Sequence, residues 1–269
     1  MNRLHRMTQL GILVAVGSCC CLNNGVAAEP IRLRVLSYNI HHAEGVDRKL
    51  DLERIANVIQ SVQPDLVALQ EVDQNVKRTQ SVDQPTELGR LTKMNVVFGA
   101  NIELQGGHYG NAILSRFPIA RHKNHLLPNV GGSEQRGVLV AEITVPAYKV
   151  PVRFFATHLD FRRDDRERLA SVKQINEMVS KEPNQPSLLA GDLNDTPESQ
   201  TLTTLKTTWT PANEKPQATV PVKTPTRQID FLLYRPADRW KVVEFKVLDE
   251  AVASDHRAVF AVLELLPNK

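Results

Sequence analysis

The sequence predicts a layered α/β fold in which strands and helices are mixed without a regular β-α-β repeat. The chain has 269 residues, of which 42% are hydrophobic and 23% charged, ordinary values for a globular protein with a large core. Short apolar runs have the length of buried strands, and two stretches place apolar residues at helical spacing. Many of the links have hairpin length, which argues against a purely parallel sheet.

The first 28 residues have the layout of a secretory signal peptide. Arg3 and Arg6 precede an apolar run at about residues 10–22, and the small residues 25–28 precede Glu29. The run is too short and wrongly flanked for a stable transmembrane helix; an N-terminal core helix is the alternative. We therefore expect residues 1–28 to be removed and residues 29–269 to form one secreted or periplasmic domain.

All three cysteines lie inside this apolar run, at positions 19, 20 and 21. A mature chain that starts near Glu29 would contain no cysteine and would use neither disulfides nor thiol chemistry. The segment Val16-Gly17-Ser18-Cys19 also resembles a bacterial lipoprotein cleavage site. Cleavage before Cys19, with a lipid anchor on that residue, is therefore the alternative to a freely secreted protein.

The chain is nearly neutral. It has 33 basic and 30 acidic residues, and residues 1–28 contain two of the basic residues and none of the acidic ones. A protein that binds nucleic acid without specificity usually has a strong basic excess or a basic stripe, and neither is evident. The charge balance argues against such a binder, but it does not exclude a local basic groove.

The strands are predicted from apolar runs bounded by polar or turn residues. The first run alternates apolar residues with arginines, as a half-exposed strand does, and the others are mostly continuous, as buried strands are. In chain order, strands are predicted over residues 31–39, 65–71, 111–115, 137–145, 152–157, 187–191, 228–234, 242–247 and 257–265.

Three helices are predicted between these strands. Apolar residues recur at helical spacing over residues 52–62, where Pro64 ends the helix, and again over residues 169–179. Thr196 is predicted to cap a third helix with Pro197 at its first position. Residues 206–227 contain four prolines and no period, so we expect a long functional or mobile loop there.

The stretch Ser187–Pro197 is the most informative segment. Its apolar run ends at a glycine and is followed by Asp192, Asn194 and Asp195, at the carboxyl end of a strand, where α/β proteins place their chemistry. A simple turn after the strand is the alternative. We expect Asp192 and Asn194 to be catalytic and Asp195 to belong to the entry of the following helix.

Polar residues lie at or beside the ends of the other interior strands as well. Taken singly, each has an ordinary explanation as a turn former or a surface residue. Taken together, these residues require a single explanation, because charged groups at the ends of apolar strands need partners or a metal ion. The residues are Asn39, Glu71, His158, Asp192, Asn194, Asp230, Asp255 and His256.

The chemistry that needs this set is hydrolysis of a phosphate ester. Mg²⁺ prefers carboxylate and other oxygen ligands, which suits Glu71 with Asn39 or Asp255, and Mn²⁺ is an alternative. The histidines also allow zinc, although their spacing fits no HExxH motif. Asp192 could orient or deprotonate the attacking water, and His256, oriented by Asp230, could act in acid-base catalysis or donate to the phosphoryl oxygens.

Seven ordered segments resemble the endonuclease/exonuclease/phosphatase family, which includes deoxyribonuclease I, exonuclease III-type endonucleases, neutral sphingomyelinases and inositol-polyphosphate 5-phosphatases. The resemblance covers essentially the whole of residues 29–269. It implies a four-layered sandwich of two facing mixed β-sheets flanked by helices, with a Mg²⁺-dependent site at one edge. The segments are SYNIHH, LVALQEVD, GNAILSRFPI, FFATHLDF, GDLNDTP, TRQIDFLLY and SDHRAVF.

The resemblance also implies individual roles. It points to Asn39 and Glu71 at the metal, to His158 and Asn194 on the phosphate and to Asp192 with the water. The closing acid-base group would be Asp230, Asp255 and His256, with Asp255 also a candidate metal ligand. Arg136 in EQRGVLV is similar to a family arginine that precedes a strand and could contact phosphate.

Two features distinguish this chain within the resemblance. His41 stands where other branches carry Asp or Arg, and His158 stands where abasic-site endonucleases carry Tyr, which favours the deoxyribonuclease and phospholipase side. No basic, aromatic-rich insertion for gripping a duplex is evident. His108 and Tyr109 could face substrate or simply pack.

We therefore expect a secreted, divalent-metal-dependent phosphoesterase that hydrolyses phosphodiesters by in-line attack of water. The alternatives are a phosphomonoesterase on small or lipid phosphates and a non-catalytic binding relative of the same fold. The substrate could be a nucleic acid, a phospholipid or a small phosphodiester. The sequence implies no protein partner and no transmembrane segment in the mature chain, and we expect a monomer.

Overall fold

The computed structural model describes residues 30–146, 148 and 150–267. The predicted signal peptide and the lipidation candidate Cys19 lie outside the described residues. In the described part, strands form two six-stranded sheets and helices cover the outer faces. The predicted four-layered sandwich is confirmed.

The part of the chain that the structure describes contains twelve strands and four α-helices. The strands are β1 Ile31–Asn39, β2 Leu66–Gln74, β3 Asn95–Leu104, β4 Gly107–Ser115, β5 Ile119–Leu126, β6 Gly137–Ile143, β7 Val152–His158, β8 Ser187–Asp192, β9 Thr210–Pro211, β10 Asp230–Arg235, β11 Trp240–Val247 and β12 Val259–Leu265. The helices are α1 Leu52–Ser61, α2 Gln84–Thr92, α3 Arg166–Ser180 and α4 Gln200–Leu205. None of the described helices is long and apolar enough to cross a membrane.

Each sheet mixes parallel and antiparallel pairs. The first sheet has the order β11-β12-β1-β2-β4-β3 and the second has the order β5-β6-β7-β8-β10-β9. The only parallel pairs among the described strands are β1 with β2 and β7 with β8, one in the middle of each sheet. Three of these four strands end on polar residues that the sequence marks, namely Asn39, His158 and Asp192.

Three apolar clusters hold the layers together. The first lies between the sheets, where side chains such as Leu33 from β1 and Phe154 from β7 are fully buried. The second joins the first sheet to α1 and α2, and the third joins the second sheet to α3 and α4. Burial of apolar area at about 25 cal/mol per Å² drives this stacking, and it leaves the sheet edges for polar groups.

Local signals fix the helix starts. Asp51 and Asp83 cap α1 and α2 by accepting from the backbone N–H groups of Arg54 and Thr86. The predicted cap of the third helix is wrong: α4 begins at Gln200, and its cap is Ser199, whose hydroxyl accepts from the N–H of Leu202.

Two other predictions near that helix are corrected or refined. Asp195 does not enter the helix, because its carboxylate accepts from Arg168 of α3 at 3.1 Å and from the N–H of Thr196 at 3.0 Å. The proline-rich segment 206–227 is mostly irregular, as predicted, and contributes only the two-residue strand β9.

The sequence prediction missed α2, β3 and β5, and it made β2 too short. β5 carries mostly exposed residues and so lacks an apolar period, while β3 alternates only weakly. β2 continues to Gln74 through a register shift between Leu69 and Val72. Glu71 therefore lies at a bulge inside the strand rather than at its end, with φ of 58°.

Candidate active site

Three strands of the second sheet bring His158, Asp192 and Asp230 to one edge. In the register, Asp192 is opposite His158 on the parallel strand β7 and opposite Asp230 on the antiparallel strand β10. All three side chains are buried. Ionisable groups buried in this way require hydrogen-bond partners, and each has one: Arg136 for His158, Asn39 for Asp192 and His256 for Asp230.

The first sheet contributes Asn39 and Glu71. Asn39 ends β1, is fully buried, and donates from Nδ2 both to Glu71 Oε1 at 3.0 Å and to Asp192 Oδ2 at 3.1 Å. Its Oδ1 accepts from the N–H of His41 at 3.1 Å. Asn39 thus connects the carboxylates of the two sheets across the edge of the sandwich.

His256 lies on the segment between β11 and β12 and contacts both buried aspartates. Its Nδ1 is 3.0 Å from Asp230 Oδ2, and its Nε2 is 3.7 Å from Asp192 Oδ2. Ser254 holds the segment in place: its hydroxyl donates to the carbonyl of Asn39 at 2.7 Å and accepts from the N–H of His256. The carboxylate of Asp230 fixes Nδ1 as a donor, so Nε2 faces Asp192.

The two titrating groups of this cluster have shifted pKa values. Burial raises the pKa of Asp192 above its usual range, and the charge of Asp230 adds to this, while His256 and hydrogen bonds from Asn39 and Asn194 oppose it. Burial alone would lower the pKa of His256, but the charges of Asp230 and Asp192 and the bond to Asp230 outweigh it and raise the pKa. An acid and a base are thereby placed side by side.

His158 is held in a neutral state. Its Nδ1 is 3.2 Å from Arg136 Nη1, and its Nε2 is 3.4 Å from Asp192 Oδ2. Burial, with Arg136 and His256 nearby, lowers the pKa of His158 well below its usual value. Asn194 Nδ2 lies 2.9 Å from the same Nε2 and donates to the carbonyl of Leu159.

These side chains open onto a cleft of about 340 Å³. Six of the predicted site residues line it: Glu71, Arg136, His158, Asp192, Asn194 and His256. Asn39 and Asp230 are fully buried and support the lining groups from behind.

Asp255 is placed differently from the other predicted residues. Its side chain is exposed, with one oxygen 3.4 Å from the hydroxyl of Ser254. It belongs to neither of the two groups of closely spaced ligand atoms found in residues 30–146, 148 and 150–267. A carboxylate next to His256 in sequence need not face the same cleft, because neighbouring side chains in an irregular segment diverge.

The sequence prediction missed several lining residues. Arg78 makes a two-pronged ion pair with the buried Asp73, at 2.8 Å for each bond, and lies over the ring of Tyr109. Glu134 pairs with Arg136 at 2.9 Å. Phe161 stands at the rim with 68% of its surface exposed. Of these residues, only Phe161, an aromatic residue three positions after His158, could have been identified from the sequence.

The sequence predicted either substrate contact or simple packing for His108 and Tyr109. Tyr109 lines the cleft, whereas His108 is exposed and is not among the residues that line it. Ile102 and Leu104 of β3 add apolar surface on the same side as Tyr109. The cleft therefore has a charged floor and an apolar wall.

Two groups of side chains have the donor sets and spacing to hold a metal ion. The first is the buried group Asp192, Asp230 and His256, and the second is His41, His42 and Glu71; within each, one ligand atom per residue lies within 4.8 Å of the others. The buried Nδ1 of His42 has no hydrogen-bond partner, as a group that awaits another ligand would. The residues present therefore fit a divalent cation.

Comparison with known proteins agrees with this architecture. The family model described as "Endonuclease/Exonuclease/phosphatase family" matches residues 36–256. The chain is 28% identical over 246 residues to YbhP, an uncharacterized protein of Escherichia coli strain K12, a match that covers 86% of this chain and 96% of YbhP.

Solved structures show the same fold. An endonuclease/exonuclease/phosphatase from Beutenbergia cavernae is 27% identical with a TM-score of 0.73, over 87% of this chain and 72% of that one. A Bacteroides thetaiotaomicron mannosyl-6-phosphatase is 18% identical with a TM-score of 0.71, over 86% and 99% of the two chains. Truncated Caenorhabditis elegans TDP2 is 22% identical with a TM-score of 0.65, over 87% and 97%.

The family match spans most of the chain, runs from β1 to His256, and includes every strand end that builds the cleft. The chain therefore belongs to the endonuclease/exonuclease/phosphatase family.

Proposed function

We propose that this protein is a metal-dependent phosphodiesterase that hydrolyses its substrate by in-line attack of water. The observation that carries the proposal is the packing of Asp192 between His158 and the His256–Asp230 pair, at 3.4 Å and 3.7 Å, at the floor of one cleft. A base, an acid and neutral donors within reach of one phosphate are what this reaction requires.

Asp192 is the group that takes the proton of the attacking water. The water oxygen forms the new bond to phosphorus, and the bond from phosphorus to the departing alcohol oxygen breaks. His256, protonated and oriented by Asp230, donates from Nε2 to the phosphoryl or departing oxygen. The raised pKa of His256 keeps it protonated near neutral pH, and the raised pKa of Asp192, to about 7, makes its deprotonated carboxylate a stronger base.

Neutral and cationic donors position the phosphate. His158 contributes its neutral imidazole, Asn194 presents its amide, and Arg136 adds a positive charge that is partly balanced by Glu134. Such donors are preorganised by their buried contacts, so they do not have to reorganise as charge develops on the phosphoryl oxygens.

A divalent cation would be held by Glu71, with Asn39 and the neighbouring histidines as the other candidates. The oxygen ligands alone predict Mg²⁺, with Mn²⁺ as the alternative, and the effect of the two histidines on this choice is considered below. When bound, such an ion polarises a phosphoryl oxygen and offsets charge on the leaving oxygen. Asn39 keeps the carboxylate of Glu71 directed into the cleft through its 3.0 Å hydrogen bond.

The charges of the cleft favour a diester over a monoester. Among the described residues that line it, the carboxylates of Glu71 and Asp192 have no arginine partner, and both lining arginines are paired with other carboxylates. A diester brings one negative charge and a monoester up to two, so the monoester meets more repulsion. Monoester hydrolysis is kept as the second candidate because a structural neighbour is a mannosyl-6-phosphatase.

The test is a substrate panel run against metal. Purified protein with Mg²⁺ or Mn²⁺ should release p-nitrophenol from bis-p-nitrophenyl phosphate, and EDTA should stop the release. Plasmid DNA and sphingomyelin separate nuclease from phospholipid activity, and p-nitrophenyl phosphate reports monoester activity. Absence of EDTA-sensitive hydrolysis across the panel would favour the non-catalytic binding relative.

Variants tie the activity to the site. Asp192→Asn should lower kcat by about 10²- to 10⁴-fold, the usual contribution of a general base. Asp238→Asn is the matched control. Asp238 is an exposed aspartate that follows the carboxyl end of β10, whereas Asp230 is the first residue of that strand. Full activity of Asp192→Asn would refute the assignment of the base.

We further propose that the mature protein is an exported monomer that begins near Glu29. The support is the signal-like layout of residues 1–28, with a lipid anchor at Cys19 as the alternative. The mass of the mature N-terminus separates these outcomes, since retention of residues 10–22 contradicts export and a lipid-sized mass shift on Cys19 establishes the anchor.

A further inference from the structure

His41, His42 and Glu71 form a compact group at the edge of the first sheet, here called the imidazole cluster. One ligand atom of each residue lies within 4.8 Å of the other two. The topology brings them together because β1 and β2 are parallel neighbours, so the residues that follow Asn39 meet the bulge that carries Glu71.

The backbone is fixed in an uncommon conformation at all three positions. The φ angles are 45° at His41, 42° at His42 and 58° at Glu71, in the left-handed region that non-glycine residues rarely occupy. Hydrogen bonds hold it: Ala43 N–H donates to the carbonyl of Ile40 at 2.8 Å, and the carbonyl of His42 accepts from the side chain of Gln84 at 2.8 Å. The side chains are therefore aimed by the fold and not by local preference.

Each of the two histidines has one ring nitrogen that no hydrogen bond occupies. His41 Nδ1 lies 2.9 Å from the carbonyl of Glu44, which only accepts, so Nδ1 carries the proton and Nε2 keeps its lone pair. The Nδ1 of His42 is buried and has no hydrogen-bond partner. A histidine that donates one N–H to a backbone carbonyl and leaves its other nitrogen free has the arrangement typical of a metal ligand.

The surrounding charges permit a cation. Glu71 uses one carboxylate oxygen for the bond from Asn39 and retains the other, and the nearby Arg78 is neutralised by its two-pronged pair with the buried Asp73. The cluster thus offers one carboxylate and two imidazoles. Mg²⁺ prefers an all-oxygen octahedral shell, whereas imidazole suits borderline first-row transition metals such as Zn²⁺, Fe²⁺ and Ni²⁺.

We propose that His41, His42 and Glu71 bind a first-row transition metal ion in preference to Mg²⁺. The inference deepens the proposed function by naming the class of metal at that site, and it rests on that function only for the role of the ion in hydrolysis. The two histidines would then be ligands that set metal identity, beside a carboxylate shared with the proposed active site.

Metal binding is tested on the full chain after removal of metal with EDTA. Cys19, Cys20 and Cys21 are replaced by Ser first, because thiolates bind zinc on their own. Calorimetry with Zn²⁺ and with Mg²⁺ gives the two affinities, and the visible absorption of Co²⁺ reports imidazole coordination. We expect Zn²⁺ to bind at least about 100-fold more tightly than Mg²⁺, with a Co²⁺ spectrum that requires both histidines.

Substitutions identify the site. His41→Gln and His42→Gln should each weaken Zn²⁺ binding by at least about 10-fold and alter the Co²⁺ spectrum. His122→Gln, on the exposed strand β5, is the matched control and should change neither. An ion held instead by the buried Asp192 group would be insensitive to both substitutions, and circular dichroism checks that each variant is folded.

The outcomes separate this inference from the proposed function. Unchanged zinc binding in both variants, or equal affinity for Zn²⁺ and Mg²⁺, overturns the metal assignment even if hydrolysis proceeds with Mg²⁺. Histidine-dependent zinc binding without hydrolysis of any ester in the panel supports the metal site and counts against the phosphodiesterase.

Discussion

The amide of Asn39 donates a hydrogen bond to Oδ2 of Asp192 at 3.1 Å, and this bond joins the ends of two strands that belong to different sheets. The same amide holds Glu71 at 3.0 Å. A neutral side chain thereby fixes the separation of the proposed base and the proposed metal-binding carboxylate. Because this hydrogen bond joins the two sheets, the position of Asp192 depends on how the sheets pack.

Asn39→Ala is expected to shift the acidic limb of the pH–rate profile to higher pH. The hydrogen bond from Asn39 stabilises the charged carboxylate, so its loss raises the pKa of Asp192 further, and the active, deprotonated form then requires a higher pH. We expect kcat near neutral pH to fall by roughly 10- to 100-fold.

The control for this variant is Asn111→Ala. Asn111 is equally buried, but its amide donates to the carbonyl of Gly137 and to no carboxylate. It should lower the free energy of unfolding without moving the acidic limb. An acidic limb that stays in place in Asn39→Ala would contradict the role given to Asn39.

Asp230→Asn is expected to move the alkaline limb of the profile to lower pH. His256 acts in its protonated form, and the charge of Asp230 is the main contribution that raises its pKa against burial. Without that charge, burial dominates and the imidazolium loses its proton at a lower pH. The measurement is kcat/KM against pH for both proteins, and an unchanged alkaline limb would show that His256 is not the titrating acid.

Gly191→Ala is expected to destabilise the fold and the site together. An added Cβ would collide with the backbone carbonyl of Thr157, the register partner of Gly191 on β7. Overpacking of this kind usually lowers the free energy of unfolding by about 1–3 kcal/mol. Urea unfolding measures the change, and activity should fall because the next residue pair in this register is His158 and Asp192.

Gly131→Ala provides the comparison for that variant. The nearest atom to an added Cβ there is the end of the Arg162 side chain, at 3.1 Å, which can move aside. It should change stability little. Equal stability of the two variants would mean that β7 and β8 can separate without loss of the fold.

Phe161→Ala is expected to raise KM for aryl or other apolar esters with little change in kcat. The ring is 68% exposed at the rim of the cleft, where it can only stack on a part of the substrate away from the phosphate. Loss of one aromatic contact corresponds to roughly a 2- to 10-fold change. Val243→Ala, 45% exposed on β11, is the control, and a fall in kcat alone would place Phe161 in the chemistry instead.

The strand ends that carry Asn39, His158 and Asp192 could be read from the sequence because each follows a continuous buried run. The helix spacing around residues 52–62 was equally legible, since α1 has one apolar face and a capping aspartate. The exposed strand β5 could not be read because it has no buried period. The helix α2 could not be read because its buried positions are Gln84, Pro85, Leu88 and Gly89, only one of which is a large apolar residue. The roles of the strand-end residues in catalysis and metal binding stay predictions.

By itself, the sequence determined which residue types stand at the ends of buried strands, because apolar runs and their polar terminators are local features of the chain. Only the tertiary structure decided which of them meet. It placed Asn39 between Glu71 and Asp192, turned Asp255 outward, and brought His41 and His42 to Glu71. These contacts depend on sheet packing and on a bulge in β2, which join residues far apart in the chain and leave no local pattern.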